Sequence, residues 1–445
     1  MNLFDAISKR ACKIGVIGLG HVGTTVAGVF ANQGFTVLGC DLIRSVVKSI
    51  NSRNLKLLEP KLAEIINNTV KSGKLWATTD AIDVAKSSDV IIICVQTPVD
   101  KQDRADLSFL RCACEVVGHT LVNGKLVIIE SSVPPGTTMK MSAILESVSG
   151  LTCGKEFWLS YCPERLSPGN SFRDFINNDK IIGGLDPQST QLASHLFRQV
   201  VKGKIFLTDS LTAEIMKLAE NTFRDVNIAF ANELALICEH YGADVQEVIK
   251  LANTHPRVRI HHPGCVGGPC LPKDPYLLLS QIGPNNFKSN IVVDARRLND
   301  YMPNHITKLT INALREAGKS VENSKIVIFG TAYKGEVKEA RNSPAGKVIH
   351  KLMSLRGKVV VYDPYCNESF GARKAGDLME AARGADCILI LTDHKEFSKL
   401  ELPRIKALMK ENPILVDGRR IINPVEAKSQ GFIYVAIGYG ADLKQ

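Results

Sequence analysis

Short apolar runs alternate with amphipathic stretches in the N-terminal part of the chain. Lys13–Ile17, Thr36–Cys40, Val90–Val95 and Lys125–Glu130 are rich in β-branched residues and nearly continuous in hydrophobicity, as strands covered on both faces are. The segments between them carry helical periodicity, so the pattern predicts βαβ units and a doubly wound parallel sheet over roughly the first 200 residues. From about Leu211 to Tyr241 the period becomes 3.6, with Ile215, Leu218, Phe223, Val226, Phe230 and Leu234 on the apolar side and Gly242 as a stop. One long helix is expected there, followed by a mostly helical stretch to about Ala317. Strands then return at Lys325–Phe329, Lys358–Tyr362, Cys387–Leu391 and Ile414–Asp417.

A chain of 445 residues can form two or three domains, each with its own core. With 45% hydrophobic and 22% charged residues it has the balance of a folded globular protein and leaves no room for a long disordered tail. The formal charge of +10 is scattered along the chain, without the basic run of a nucleic-acid arm, and suits a small anionic substrate. The twelve cysteines are irregularly spaced, and Cys40, Cys94 and Cys387 fall inside apolar strand runs, as reduced cytosolic thiols do. No N-terminal apolar stretch reads as a signal peptide and no run of about 20 apolar residues would span a bilayer. A cytoplasmic protein is therefore expected.

The first strand is followed by Gly18-Leu19-Gly20-His21-Val22-Gly23, which opens a helix, and Asp41 ends the second strand 18 residues after Gly23. Glycines here permit a tight turn and close backbone approach, so a pyrophosphate can sit on the helix N-terminus while the acid bonds the ribose hydroxyls of NAD. The expected fold class is α/β, with two Rossmann-like doubly wound domains joined by a long helix and a helical middle segment. Limits are expected at 1–205 for NAD binding, 206–317 for a central helical part, and 318–445 for a second α/β domain. Thr97-Pro98 and Ser131-Ser132-Val133-Pro134 follow consecutive strands, where cofactor contacts of such a sheet lie. Either alone is equally an ordinary turn.

Gly267-Gly268-Pro269-Cys270-Leu271-Pro272-Lys273-Asp274 presents a cysteine on a glycine-rich turn with a carboxylate four residues on. Exposed amides and Lys273 favour a thiolate, which can attack a carbonyl and form a thioester. A buried, inert thiol is the competing reading. On the long helix Lys217, Asn221 and Arg224 share one face, where an ammonium and an amide can steady an oxyanion and the guanidinium can orient a substrate. The competing reading, a solvated polar face, is weakened because the segment is rich in apolar residues and asparagines (Asn227, Asn232) rather than charges.

These motifs together resemble the UDP-glucose/GDP-mannose dehydrogenase family. The glycine motif, Ser-Ser-Val-Pro from 131, Pro163-Glu164, Lys217 with Asn221, the turn ending at Cys270, Tyr333-Lys334 with Arg341, and Asp417-Gly418-Arg419 occur in the family's order over nearly the whole chain. Within the family, Tyr161-Cys162-Pro163-Glu164-Arg165, Glu220–Glu233 and His255-Pro256-Arg257 look like the branch acting on UDP-N-acetylmannosamine. Where enzymes acting on UDP-glucose more often show a second glutamate, Pro168 stands here. Cys265 occupies a place usually held by glycine, which leaves open whether that turn needs a positive φ.

The resemblance implies a four-electron oxidation at C6 of the sugar through a thioester on Cys270, consuming two NAD. It assigns Lys217 and Asn221 to the oxygen that develops charge, Asp274 and a water near Ser132 to proton transfer, and Glu164 to the hydrolytic water. Gly18, Gly20, His21, Val22, Gly23, Asp41, Thr97, Pro98 and Ser132 fall to NAD. The UDP-sugar falls to Arg165, Leu166, Lys217, Asn221, Arg224, His255, Arg257, Tyr333, Lys334, Arg341 and Arg419, with Arg257 reaching from a neighbouring subunit of a homodimer or larger homo-oligomer. UDP-N-acetylglucosamine and UDP-glucose are the alternative substrates. A 3-hydroxyacid dehydrogenase would need neither Cys270 nor the second α/β domain, and a non-catalytic nucleotide-sugar sensor would have lost the cysteine and lysine that this chain carries.

Overall fold

The computed structural model describes residues 1–55, 59–100, 102–282 and 289–440. The chain forms two compact units, Met1–Glu220 with Tyr276–Phe287, and Asn221–Pro275 with Lys288–Gln445.

The first unit is built on a sheet of β1 (Lys13–Ile17), β2 (Thr36–Cys40), β3 (Leu75–Thr78), β4 (Val90–Ile93), β5 (Leu126–Ile129), β6 (Trp158–Tyr161), β7 (Lys180–Gly184) and β8 (Ile205–Asp209). Their order is β3-β2-β1-β4-β5-β6-β7-β8, with β7 antiparallel to β6 and the other pairs parallel. Successive residues of the central strands face opposite cores. Val90, Ile92, Leu126 and Ile128 pack into one apolar cluster, while Ile91, Ile93, Val127 and Ile129 pack into the other. Burial on both faces is what makes these strands read as continuous apolar runs.

The second unit carries β9 (Lys325–Phe329), β10 (Lys358–Tyr362), β11 (Arg373–Lys374), β12 (Cys387–Ile390), β13 (Ile414–Asp417) and β14 (Ile433–Ala436). All pairs are parallel in the order β11-β10-β9-β12-β13-β14, the same 3-2-1-4-5-6 arrangement as the first six strands of the other unit. Each sheet therefore reverses direction of growth between its first and fourth strands, which is where a doubly wound sheet leaves a crevice for ligands.

The long helix runs Ser210–Tyr241 and ends at Gly242, whose φ of 74° is the left-handed stop expected of a helix C-terminus. Its apolar residues split into two stripes. Leu218 is buried, whereas Ile215, Phe223 and Phe230 are 43%, 61% and 49% exposed.

Within the second unit, Asp225 of this helix is fully buried and pairs with Arg296 of the helix Ile291–Glu316, also fully buried. Asn299 Nδ2 donates to both the Asp225 carbonyl and carboxylate (2.9 Å each). Burial pushes the Asp225 carboxyl up, and Arg296 partly offsets it. Removing one partner of such a pair strands a charge in the interior. Arg296→Leu is expected to cost about 3–5 kcal/mol of stability, checked by the urea midpoint of unfolding. A midpoint equal to wild type would show that Asp225 needs no counter-ion.

Candidate active site

In the first unit the turn after β1 is fixed by sterics. Gly18 has φ 92° and donates its N–H to the Cys40 carbonyl (2.8 Å). A Cβ at Gly23 would fall 1.8 Å from the Gly18 carbonyl oxygen, so the helix His21–Asn32 starts this close to β1 only because residue 23 has no side chain. A Cβ at Gly20 would meet no protein atom within 4 Å, leaving the helix N-terminus open to an incoming group. Asp41 at the end of β2 accepts the N–H of Leu19 (2.8 Å) and of Ile43 (2.8 Å), which holds its half-buried carboxylate beside the turn. An open helix start, a close-packed glycine and an acid at this edge fit a dinucleotide with a free ribose 2′-hydroxyl. Thr97 and Ser132, on the loops after β4 and β5, are joined by the Thr97 hydroxyl donating to the Ser132 carbonyl (2.6 Å). Pro98 and Val22 are half-buried. The exposed His21 shares a hydrogen bond with Ser171 (2.6 Å).

The same unit brings Glu164 to Lys217. The lysine Nζ donates to the Glu164 carbonyl (2.6 Å) and carboxylate (3.0 Å), and the Leu166 N–H donates to the other carboxylate oxygen (2.6 Å). Burial alone would raise the Glu164 carboxyl, but the ammonium and the amide outweigh it and hold it below the usual carboxylate range. Arg165 donates to the Asp179 carbonyl (3.0 Å) and pairs with Glu220.

In the second unit, Cys270 is half-buried on the turn before the helix Asp274–Leu279. Its carbonyl accepts the N–H groups of Lys273 and Asp274 (2.9 Å each). Asp274 is fully buried. Its Oδ2 accepts from Asn221 Nδ2 (2.6 Å) and its Oδ1 lies 3.4 Å from the Lys273 ammonium. Gly268, at φ 90°, lies under the Tyr333 ring, where a Cβ would come within 2.7 Å of the ring. Burial, then Glu339 and Cys270, push the Tyr333 hydroxyl up to about 12. Cys265 settles the open question about its turn. The positive φ values of the approach fall on Gly264 (152°) and Gly268, not on Cys265, whose carbonyl instead faces Arg419 Nη1 at 3.5 Å. Burial raises the Cys265 thiol to about 12, which leaves it inert.

The remaining candidates are less gathered. Arg419 is ion-paired with Asp393 (3.1 Å), and Asp417 accepts the Arg419 N–H (2.9 Å) and so shapes that turn. Arg341 pairs with Glu339 (2.6 Å), and Lys334, Arg224, His255 and Arg257 are exposed. Two clusters escaped the sequence reading. Glu130, at the end of β5, and Lys180 form a buried pair, with the ammonium 4.4 Å from the centre of the Phe197 ring. Asp363, at the end of β10, is bound by the buried His394 (3.1 Å). A strand-ending acid signals the place of Asp363, as it does for Asp41, but nothing in the sequence pattern marks His394.

Residues 12–201 match the NAD binding domain of the UDP-glucose/GDP-mannose dehydrogenase family, residues 211–301 its central domain and residues 327–424 its UDP binding domain. The chain is 44% identical over 431 residues to the UDP-N-acetyl-D-mannosamine dehydrogenase of Pyrococcus horikoshii, covering 96% of this chain and 99% of that one. The solved structure of a UDP-D-ManNAc dehydrogenase from P. horikoshii superposes with a TM-score of 0.90 over 96% of this chain and 100% of the other. The UDP-N-acetyl-mannosamine dehydrogenase of Staphylococcus aureus, at 32% identity, gives 0.84 over 96% and 98%. Among the described residues no helix is long and apolar enough to cross a membrane. With an NAD-ready turn, three domain matches in chain order and a relative alike from end to end, the chain belongs to the UDP-glucose/GDP-mannose dehydrogenase family and is an NAD-dependent nucleotide-sugar dehydrogenase.

Proposed function

We propose that this enzyme oxidises the C6 alcohol of UDP-N-acetylmannosamine to the carboxylate through a thioester on Cys270. The observation that carries the reading is a cysteine on a glycine turn whose following acid, Asp274, is buried and hydrogen-bonded to Asn221. An alcohol-only dehydrogenase has no use for that nucleophile. NAD supplies the hydride acceptor for both oxidations, two per sugar.

Asp274 and Ser132 pass on the C6 hydroxyl proton through water as the first hydride leaves. Lys217 and Asn221 stabilise the oxygen as its charge develops. The Cys270 sulfur bonds to the aldehyde carbon, and loss of the second hydride from that carbon leaves the thioester. Glu164, kept ionised by Lys217, takes a proton from the attacking water, and the C–S bond breaks to return the thiolate. Lys334, Arg341 and Arg419 neutralise the diphosphate, with Tyr333, Arg165, Leu166, Arg224, His255 and Arg257 as further UDP-sugar contacts. Division of labour follows the limits 1–205, 206–317 and 318–445. Twelve thiols, several of them inside buried strands, suit a reducing cytoplasm.

Cys270→Ser is expected to lower acid formation on the order of 10³-fold or more with folding intact, because serine here has no dedicated base. The measurement is NADH released per sugar, two for wild type. A folded serine variant that still makes acid at the wild-type rate would refute the thioester route.

The manno sugar is supported by the relatives named for it, by Arg165 standing where a phenylalanine-led run is more usual, and by Pro168 standing where a second glutamate is. A site that hydrogen-bonds an N-acetyl group leaves buried polar atoms unpaired when the sugar carries only a hydroxyl. UDP-glucose is therefore expected to fall about 10⁴-fold below UDP-N-acetylmannosamine in kcat/KM, with UDP-N-acetylglucosamine in between. A preference for UDP-glucose would reverse the assignment.

We also propose a homo-oligomer. Phe223, Phe230 and Ile237 recur every seven residues on the long helix and are 61%, 49% and 46% exposed, a stripe that a second copy would cover. Phe230→Glu is expected to give monomers by light scattering at a concentration where wild type is associated. An unchanged mass would place the contact elsewhere.

A further inference from the structure

The loop between β9 and the helix Pro344–Ser354 carries Tyr333, Lys334 and Arg341, and three consecutive residues after β12 hold its backbone. The Thr392 hydroxyl donates to the Ala332 carbonyl (2.7 Å), Asp393 Oδ1 accepts the Gly335 N–H (3.0 Å) and His394 Nδ1 accepts the Glu336 N–H (3.0 Å). A backbone N–H can only donate, so Nδ1 is the acceptor and the ring proton sits on Nε2, 3.1 Å from the Asp363 carboxylate. That carboxylate also takes the N–H groups of Thr331 (2.7 Å) and Ala332 (3.0 Å) at the start of the same loop. Glu336 has φ 63°, a conformation that a residue with a Cβ holds only when its surroundings impose it. His394 is 0% exposed, and Asp393 reaches with its other oxygen to Arg419 (3.1 Å).

We propose that Thr392, Asp393 and His394 act as a positioning staple that fixes the UDP-sugar loop in its binding shape before substrate arrives. The staple rests on the assignment of Lys334, Arg341 and Arg419 to the diphosphate. Its function is to prepay the ordering of the loop, so its loss appears in substrate affinity rather than in chemistry. His394 acts through Glu336, and Asp393 through Gly335 and Arg419.

The test exploits the two ring nitrogens. His394→Asn keeps an acceptor near Nδ1, whereas His394→Gln keeps a polar group near Nε2 and loses the bond to Glu336. The Gln variant is expected to raise the Kd for UDP and the KM for UDP-N-acetylmannosamine about ten-fold, with kcat within about two-fold, as the loss of one buried hydrogen bond predicts. KM for NAD should stay unchanged and the Asn variant should stay near wild type. Thr392→Val, which removes a different bond of the same staple, should raise the Kd for UDP several-fold, and it decides the matter if the Gln variant does not fold. Equal Kd values for the Gln, Thr392→Val and wild-type proteins, or equal losses in Asn and Gln, would overturn the staple. Lys334→Ala and Arg341→Ala separate the two layers of the argument. If both leave UDP binding untouched, the substrate assignment has failed; if both weaken it while Gln and Thr392→Val do not, the staple alone has failed.

Discussion

Asp225 is a carboxylate with no access to water, and much of the second unit is arranged around keeping it compensated. Arg296 supplies the charge and Asn299 the hydrogen bonds, which ties the long helix to the helix Ile291–Glu316. Asn299 Oδ1 in turn accepts from Asn232 Nδ2 (2.9 Å), and Asn232 holds Gly264 by both its N–H (2.7 Å) and its carbonyl (3.1 Å). Five residues before Asn232, Asn227 does the same for the preceding segment, donating to the Arg259 carbonyl (2.9 Å) and accepting the His261 N–H (2.7 Å). The approach to Cys270 therefore hangs from side-chain amides of the long helix. Buried polar groups of this kind are tolerated only where they are paired. The bonds that Asn227, Asn232 and Asn299 make hold the preceding loop to the helix at defined atoms.

The two sheets share a strand order and a device, and differ in how the device is used. In each, the acid ending the second strand accepts an N–H from the turn after the first strand: Asp41 from Leu19 and Asp363 from Thr331. In each, the glycine opening that turn has φ 92° and donates to the last residue of the second strand. Asp41 remains half-buried beside an open helix start. Asp363 is 5% exposed and takes N–H groups from Thr331, Ala332, Tyr365 and Cys366 as well as the His394 ring. With those bonds and burial opposing each other, the bonds win and hold its carboxyl at about 2. An acid so fully engaged serves in the second sheet as an internal brace.

How much of this was legible in the sequence follows from burial. β1, β2, β9, β10 and β13 occur at the residues their apolar runs predict, because both faces of these central strands are covered. β3, β6, β7, β8, β11 and β14 were not singled out: β3 and β8 are edge strands with Trp76, Phe206 and Leu207 half in solvent, β14 is a short edge strand, β11 has only two residues, and the buried β6 and β7 have their apolar runs broken by Ser160 and by Gly183-Gly184. The long helix was read correctly in extent but not in its faces, since an exposed heptad stripe and a buried stripe are both apolar in one dimension. Glu164 with Lys217, and Cys270 with Asp274 and Asn221, were named from motifs. Lys180, which pairs with Glu130, and His394, which pairs with Asp363, were invisible because they act by long-range pairing, which leaves no spacing signature.

Twelve thiols in one chain raise the question of why one should be reactive. Burial raises Cys12 and Cys114 to about 12 and Cys40 to about 11, and pushes Cys94, Cys162 and Cys387 up as well, so each stays protonated and packs as a small apolar side chain. Cys265, five residues before the proposed nucleophile, is muted in the same way although it shares the loop. Cys270 differs in kind. It is half-buried on a turn outside the strand cores, with backbone N–H groups folded back on its carbonyl and the Lys273 ammonium three residues on, beside Asp274. The loop thus separates two neighbouring thiols: the carbonyl of Cys265 holds the turn to Arg419, and the positive φ at Gly268 precedes the half-buried Cys270.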